Sequence, residues 1–153
     1  MAVTAWWYAG AFIQAFDKEI DYLADTMKIT LHTVTYVPNQ DTHDYADDAT
    51  NELSTANGYT SGGATLATKV NSNTLNVVKW DADDVAWTAT GAGFTARIDV
   101  LSDTTPGSAA TNPLMTWQDF GQNETASGGG TFTIAHNASG IATCTATDAT
   151  GFP

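Results

Sequence analysis

The spacing of apolar positions near the start of the chain is that of a helix. Large apolar side chains recur at i, i+4, i+8 and i+11, at Phe12, Phe16, Ile20 and Leu23. Positions three or four residues apart lie on one face of an α-helix. The pattern therefore predicts a short amphipathic helix within residues 10–24.

After this segment the period of the pattern changes to two. Met27, Ile29 and Leu31 alternate with more polar side chains, which is typical of a half-buried strand, and the strand is predicted to end near Pro38. Residues 38–63 have the composition of a loop. Further strands are predicted at residues 64–71, 74–80, 84–90, 114–120, 130–136 and 140–147.

The clearest alternation lies in residues 94–101. Its apolar side chains are predicted to share one face: Phe94, Ala96, Ile98 and Val100. Arg97 and Asp99 are predicted to lie on the other face. Many short strands separated by turn-rich connections predict a mainly β fold, an antiparallel β-sandwich or barrel with one short N-terminal helix. We expect a single β domain in residues 26–153, with an aromatic-rich segment, residues 1–25, packed on it or extending from it.

The aromatic side chains of the N-terminal segment are the first candidates for a contact surface. Residues 2–16 contain no charged side chain. Full burial of one large apolar side chain is worth about 1.5–3 kcal/mol, so leaving several in water is unfavourable. Either the segment completes the protein's own sandwich, or part of it packs against a second protein. In the second case the predicted interface residues are Trp6, Trp7, Tyr8 and Phe12.

The chain is strongly acidic, with 17 Asp and Glu against five Lys and Arg and a formal net charge of −12. Binding to nucleic acid or to an anionic membrane needs a cationic surface, and the sequence has no cluster of basic residues. We therefore expect neither partner. The first 17 residues lack the basic side chains of a signal peptide, and their apolar run is too short to span a bilayer. Synthesis in a bacterial-type cytoplasm is the expectation.

The tryptophans and the single cysteine in the later part of the chain are predicted to be buried. Trp80, Trp87 and Trp117 fall in predicted strands, where large aromatic side chains usually fill a core. The alternative is a sugar-stacking platform, which would make the protein a carbohydrate-binding module. Cys144 lies in an alternating pattern of apolar residues and Thr, and it is predicted to be a small buried hydrophobe.

No constellation of residues in the sequence predicts an enzyme. His32, His43 and His136 are each expected to be hydrogen-bonded or surface side chains, and no Gly-x-Ser-x-Gly turn is present for a nucleophile. Two acidic stretches, residues 41–48 and 81–84, invite a Ca²⁺ interpretation. Neither has the spacing of an EF-hand loop, and Asp side chains of this kind also form turns. We predict no catalytic residue, no cofactor and no metal site.

Several short segments of the chain carry a resemblance to a known family. The two most distinctive are residues 38–43, PNQDTH, and residues 58–63, GYTSGG. The others are residues 16–22, 25–33, 50–53, 80–87, 95–97, 112–114 and 119–121. Together they run through residues 8–142 and are similar to a widespread family of small proteins encoded among the virion structural genes of tailed bacteriophages.

The resemblance implies a non-enzymatic structural protein of a phage particle, located in the virion after assembly in the host cytoplasm. A capsid decoration protein on the head surface is the most specific form of this expectation. The alternatives are another virion position (neck, tail or fibre base) and a carbohydrate- or host-binding module. The implied partners are the major capsid protein or other virion proteins, and the chain would act as a homo-oligomer or in many copies. Residues 53–57 and the Thr-rich C-terminal part depart from the family pattern.

Removal of divalent cations is predicted to leave the stability of the protein unchanged, because no metal-ligand spacing is present. Differential scanning calorimetry with and without EDTA should give the same Tm. A large fall in Tm with EDTA, reversed by Ca²⁺, would contradict this and would assign one of the acidic stretches as a metal site.

Overall fold

The computed structural model describes residues 4–147, in which ten strands and one α-helix are joined by turns. The elements are β1 (Thr4–Trp7), α1 (Gly10–Phe16), β2 (Met27–His32), β3 (Ala64–Thr65), β4 (Val70–Thr74), β5 (Val77–Asp81), β6 (Val85–Thr88), β7 (Phe94–Asp103), β8 (Leu114–Ala126), β9 (Thr131–Ile134) and β10 (Ala142–Thr145). A 3₁₀ turn, Ala109–Thr111, precedes β8.

The strands form three antiparallel sheets. The largest has five strands in the order β1-β8-β7-β2-β3, with β7 at its centre. A three-stranded sheet has the order β10-β5-β4, and β6 pairs with β9. Every pairing among the described strands is antiparallel. The fold is mainly β and sandwich-like rather than a closed barrel, which confirms the predicted fold class.

Apolar side chains pack on both faces of the five-stranded sheet. The larger core lies between this sheet and the smaller ones, and it joins Ile29 and Leu101 to Trp87 and Phe132. The smaller core contains Tyr8, Tyr36, Ile98, Val100 and Leu114. Because both faces are covered, β7 is buried at every position in residues 98–103.

A register shift in β7 corrects the prediction that alternate side chains of residues 94–101 share one face. The shift lies between Ala96 and Ile98, where β7 pairs with β8. A bulge of this kind turns the side chains that follow it toward the other face of the sheet. Phe94 and Ala96 therefore pack in the larger core, whereas Ile98 and Val100 pack in the smaller one.

Helix α1 is shorter than the predicted apolar stripe and buries a different face. It ends at Phe16, and Lys18 has a φ of 65°, which lies outside the right-handed helical region. The buried positions are Gly10, Ala11 and Gln14, while Phe16 is 87% exposed. The side of α1 that faces the fold therefore carries Gly10, Ala11 and Gln14 instead of the large apolar side chains, and α1 contacts β8. The predicted stripe is therefore wrong.

The predicted burial of the tryptophans and the cysteine is only partly correct. Trp87 is buried in the larger core, whereas Trp80 and Trp117 are half-buried. Cys144 is exposed, contrary to the prediction. Its strand, β10, lies at the edge of the three-stranded sheet and buries only Ala142, so alternation along this strand does not correspond to a buried face.

Three groups of the GYTSGG segment donate hydrogen bonds to a single carboxylate. Glu52 accepts hydrogen bonds from the Tyr59 hydroxyl at 2.6 Å, the Ser61 hydroxyl at 3.0 Å and the Gly62 backbone N–H at 2.6 Å. The Tyr59 oxygen accepts the Leu31 N–H at 3.1 Å, which attaches the segment to β2. Burial raises the pKa of the Tyr59 hydroxyl well above its usual value. The segment therefore has a structural role.

Gly63 and Gly62 provide a matched test of this close packing. Their φ angles are 69° and 91°, so an alanine at either position is strained. A Cβ atom at Gly63 would lie 2.0 Å from the Ile29 carbonyl oxygen, whereas a Cβ atom at Gly62 would meet nothing within 4 Å. We predict that Gly62→Ala lowers the free energy of unfolding by about 1–2 kcal/mol. Gly63→Ala should lower it by about 2 kcal/mol more, because the clash adds to the strain.

Urea denaturation of the two variants measures both losses under the same conditions. Equal losses would mean that the backbone of β2 moves away from the added methyl group at no cost, which would contradict the prediction.

Candidate functional site

The four aromatic residues predicted for an interface lie in three different environments. Trp6 is on the surface, at 37% exposure. Trp7 and Phe12 line a groove beside α1, and Tyr8 is fully buried. The N-terminal segment therefore completes the sandwich through β1 and also leaves part of its aromatic surface accessible.

Apolar surface surrounds Trp6. Its ring stacks on Trp117, with centroids 4.4 Å apart and an interplanar angle of 21°. Trp117 lines a shallow cavity of about 260 Å³ together with Val34, Val37 and Pro38. Val34 and Val37 are 59% and 76% exposed. These five residues are called the Trp6 patch below.

One ion pair borders the Trp6 patch. Arg97 donates two hydrogen bonds to the carboxylate of Asp119, from Nε and from Nη2. This contact holds the pKa of Asp119 below its usual range and raises the pKa of Arg97. Both side chains line the same shallow cavity. The charged groups at this edge of the patch thus compensate each other, while the whole chain carries a net charge of −12.

The groove beside α1 has a volume of about 420 Å³. Trp7 is its central side chain, with its ring centroid 5.0 Å from Phe12 and 5.0 Å from Trp80. The indole Nε1 of Trp7 donates to the Thr143 carbonyl at 3.2 Å, which fixes the ring. The name aromatic groove is used for this cavity, whose lining includes Trp7, Phe12, Lys18, Asp21, Asn71 and Trp80.

Tyr8 belongs to a buried hydrogen-bond chain that the sequence did not reveal. Its hydroxyl lies 2.7 Å from the Tyr36 hydroxyl, which lies 3.1 Å from His43 Nδ1. Burial raises the pKa of Tyr8 far above its usual value and that of Tyr36 to about 12. Tyr8 is 0% exposed and so contacts only its own chain, which removes it from the predicted interface. Tyr8 and Tyr36 are 28 residues apart, so no local pattern in the sequence could have shown their contact.

The other two histidines lie in separate environments. The Nδ1 of His32 bonds to the Thr50 carbonyl at 2.8 Å, and its Nε2 bonds to the Thr30 hydroxyl at 2.9 Å. A carbonyl only accepts, so Nδ1 carries the proton, and burial lowers the pKa of His32. These bonds connect His32, at the end of β2, to a neighbouring loop.

His136 lies beyond the end of β9 rather than within a strand as predicted, and burial lowers the pKa of His136 too.

Carboxylates of the two acidic stretches bond within the fold. Asp48 Oδ2 accepts the backbone N–H groups of Asp44 and Tyr45, at 3.0 and 3.2 Å. Asp83 accepts the Thr68 hydroxyl at 2.6 Å. The Asp48 contacts stabilise a local turn, and the Asp83 contact joins two segments that are distant in sequence. Across residues 4–147, no three His, Cys, Asp or Glu side chains converge as they would around a metal ion.

Asp99 is a buried acidic side chain that sequence reasoning placed on the polar face of its strand. It is 2% exposed, and it pairs across the sheet with Leu31. Its Oδ2 has no hydrogen-bond partner among the described residues. Burial raises the pKa of Asp99 well above its usual value, because the charged form loses its hydration. The alternating pattern predicted that the side of β7 bearing Asp99 faces solvent. The larger core covers that side of the strand, so the carboxyl is buried.

The raised pKa of Asp99 predicts that its ionisation destabilises the fold as the pH rises. Below the ordinary Asp pKa of about 3.9 both the folded and unfolded states hold the proton. Above it the unfolded state releases the proton first, so stability falls until the folded pKa has been passed. The free energy of unfolding of Asp99→Asn, relative to the natural protein, should therefore rise by at least about 1 kcal/mol between pH 4 and pH 7.

Urea denaturation across this pH range measures the difference, with Asp47→Asn as the control at an exposed carboxylate. The Asp47 variant shows the effect of removing one exposed carboxylate from the same protein. An unchanged difference between Asp99→Asn and the natural protein would contradict the raised pKa.

Comparison with known proteins assigns no relative. No protein-family model matches the chain, and no curated protein or solved structure matches it. In residues 4–147, no helix is long and apolar enough to cross a membrane.

Proposed function

We propose that the chain is a non-enzymatic structural protein of a tailed-bacteriophage particle, and specifically a capsid decoration protein that docks on the head surface through the Trp6 patch. The observation that carries the proposal is the exposed apolar surface of this patch on an otherwise acidic protein. It adds to the resemblance to phage virion proteins that runs through residues 8–142. The partner is the major capsid protein.

The Trp6 patch has the composition of a protein–protein contact. Two stacked indoles lie beside two valines that are 59% and 76% exposed. A bidentate Arg–carboxylate pair borders them. Interface centres are enriched in aromatic residues and Arg, and the removal of their apolar surface from water favours association. Docking of this patch would bury its exposed apolar side chains.

The distribution of charge favours docking on another protein over aggregation of free copies. A net charge of −12 makes the copies repel each other in solution. The ion pair at the edge of the Trp6 patch compensates its own charge, so this patch can approach a neutral or basic partner surface without burying an unpaired carboxylate. The protein can thus remain dispersed before assembly and still dock through apolar contacts.

The PNQDTH segment holds the surroundings of the Trp6 patch in place. The Gln40 side chain donates to the Trp7 carbonyl at 2.7 Å, and the Gln40 carbonyl accepts the Ala9 N–H at 2.9 Å. Pro38, in the same segment, is itself part of the patch. A segment that carries the family resemblance therefore links the loop bearing Val37 to the end of β1. This role supports the proposal that proteins with this segment present a contact surface in the same way.

Substitution of the two exposed valines tests the proposed docking surface. The double variant Val34→Ser/Val37→Ser should bind particles about tenfold more weakly, because it loses apolar area that only the docked state buries. Leu75→Ser is the matched control, since Leu75 is 91% exposed but lies at the turn between β4 and β5. Co-sedimentation of each labelled variant with particles prepared without this protein measures the affinity.

Unchanged binding by the double variant, with an unchanged Tm, would overturn the Trp6 patch as the docking surface. Quantitative mass spectrometry of purified particles separates the possible positions. Hundreds of copies per particle support head decoration, about a dozen copies or fewer assign the chain to the neck, tail or fibre base, and none contradicts any place in the virion.

A further inference from the structure

We propose that the aromatic groove binds a short neutral oligosaccharide, with a pyranose ring held against Trp7, Phe12 and Trp80. This site is separate from the Trp6 patch and goes beyond the proposed function, on which it does not depend. A protein with this groove could attach to a polysaccharide surface whether or not it decorates a capsid.

The size and construction of the aromatic groove are those of a preformed small-ligand site. Its volume of about 420 Å³ falls in the range of about 300–1,000 Å³ that such sites occupy. Phe12 comes from α1 and Trp80 from β5, so the walls belong to elements far apart in sequence. Trp7 packs against both rings and is fixed by its hydrogen bond to the Thr143 carbonyl. The aromatic surface is therefore positioned before any ligand arrives.

Polar groups with unused hydrogen-bonding capacity surround these rings. The side chains of Lys18, Asn71 and Trp80 make no hydrogen bond with any residue in 4–147, and all three residues line the groove. Asp21 accepts two backbone N–H groups of its own turn through Oδ1, which leaves Oδ2 available. The groove thus offers three donors and two acceptors, the carboxylate of Asp21 and the amide oxygen of Asn71.

This combination of groups selects a neutral polyhydroxylated ring. A pyranose has faces of C–H groups that pack on aromatic rings, and hydroxyls at its edge that both donate and accept hydrogen bonds. An anion would meet the carboxylate of Asp21 in a protein of net charge −12, and a cation would meet the ammonium of Lys18. A wholly apolar ligand would remove Lys18 and Asn71 from water without giving them partners, which is unfavourable.

The tryptophan indole N–H signals in ¹H–¹⁵N NMR spectra provide a site-resolved test. The chain has five tryptophans, and only Trp7 and Trp80 line the groove. Titration with maltose, cellobiose and N,N′-diacetylchitobiose should shift the signals of these two with at least one of the sugars. The signals of Trp6, Trp87 and Trp117 should stay in place. Trp80→Phe assigns its signal by loss.

A pair of asparagines on one strand separates binding in the groove from non-specific contact. Asn71→Ala should raise the Kd for the bound sugar about fivefold, because the ligand loses one hydrogen bond. Asn73→Ala is the matched control, since Asn73 is also exposed on β4 but does not line the groove, and its Kd should be unchanged. Phe12→Ala, which removes a wall of the groove, should abolish the shifts.

Any of three results in the sugar titrations would overturn the proposal. These are no shift with any of the sugars, shifts confined to tryptophans outside the groove, or equal Kd values for the two asparagine variants. Shifts of Trp7 and Trp80 with choline chloride but with none of the sugars would also overturn it, because the aromatic groove would then be a cation site. None of these outcomes bears on particle binding through the Trp6 patch.

Discussion

Strand β7 is the element on which the sandwich depends, because it pairs on both sides and contributes side chains to both cores. Because of the register shift after Ala96, the apolar side chains of β7 pack in two cores. Phe94 and Ala96 pack in the larger core, and Ile98 and Val100 pack in the smaller one. The cost of covering both faces is the burial of acidic side chains in the same strand. Among the described residues, Oδ2 of Asp99 and Oδ2 of Asp103 have no hydrogen-bond partner, while Oδ1 of Asp103 accepts the Thr105 N–H at 2.8 Å. Packing on both faces of β7 has to outweigh this cost.

Alternation along the sequence predicts a strand correctly where one face packs and the strand is regular. In β2 the predicted apolar positions, Met27, Ile29 and Leu31, are all buried in the larger core. The same reasoning fails in β7. The alternating pattern of apolar residues continues unchanged through the bulge, but the side chains after the bulge point to the other face of the sheet. It fails for Cys144 as well, because a pattern does not show whether the strand lies at the centre or the edge of a sheet. Both failures depend on pairing with distant segments.

The geometry of a strand also explains why the four aromatic residues predicted for an interface do not form one surface. Successive side chains of a strand point to opposite faces, so neighbouring aromatic residues in β1 cannot form one surface. Trp6 lies on the side of Trp117, whereas Trp7 packs against the larger core. Composition was enough to identify the N-terminal segment as a source of aromatic surface. Its division between a patch, a groove and a buried hydrogen-bond chain required the strand and its register with β8.

This division allows two contacts to be made at once. The Trp6 patch and the aromatic groove lie on opposite faces of β1, since they contain adjacent residues of one strand. A partner seated on the patch therefore does not occupy the groove, and a ligand in the groove does not displace the partner. The hydrogen bonds of Gln40 to Trp7 and Ala9 hold the end of β1 beside α1, so both surfaces are fixed relative to each other. A protein docked by one face of this strand would thus present the other face outward, with its aromatic rings already in position for a ligand.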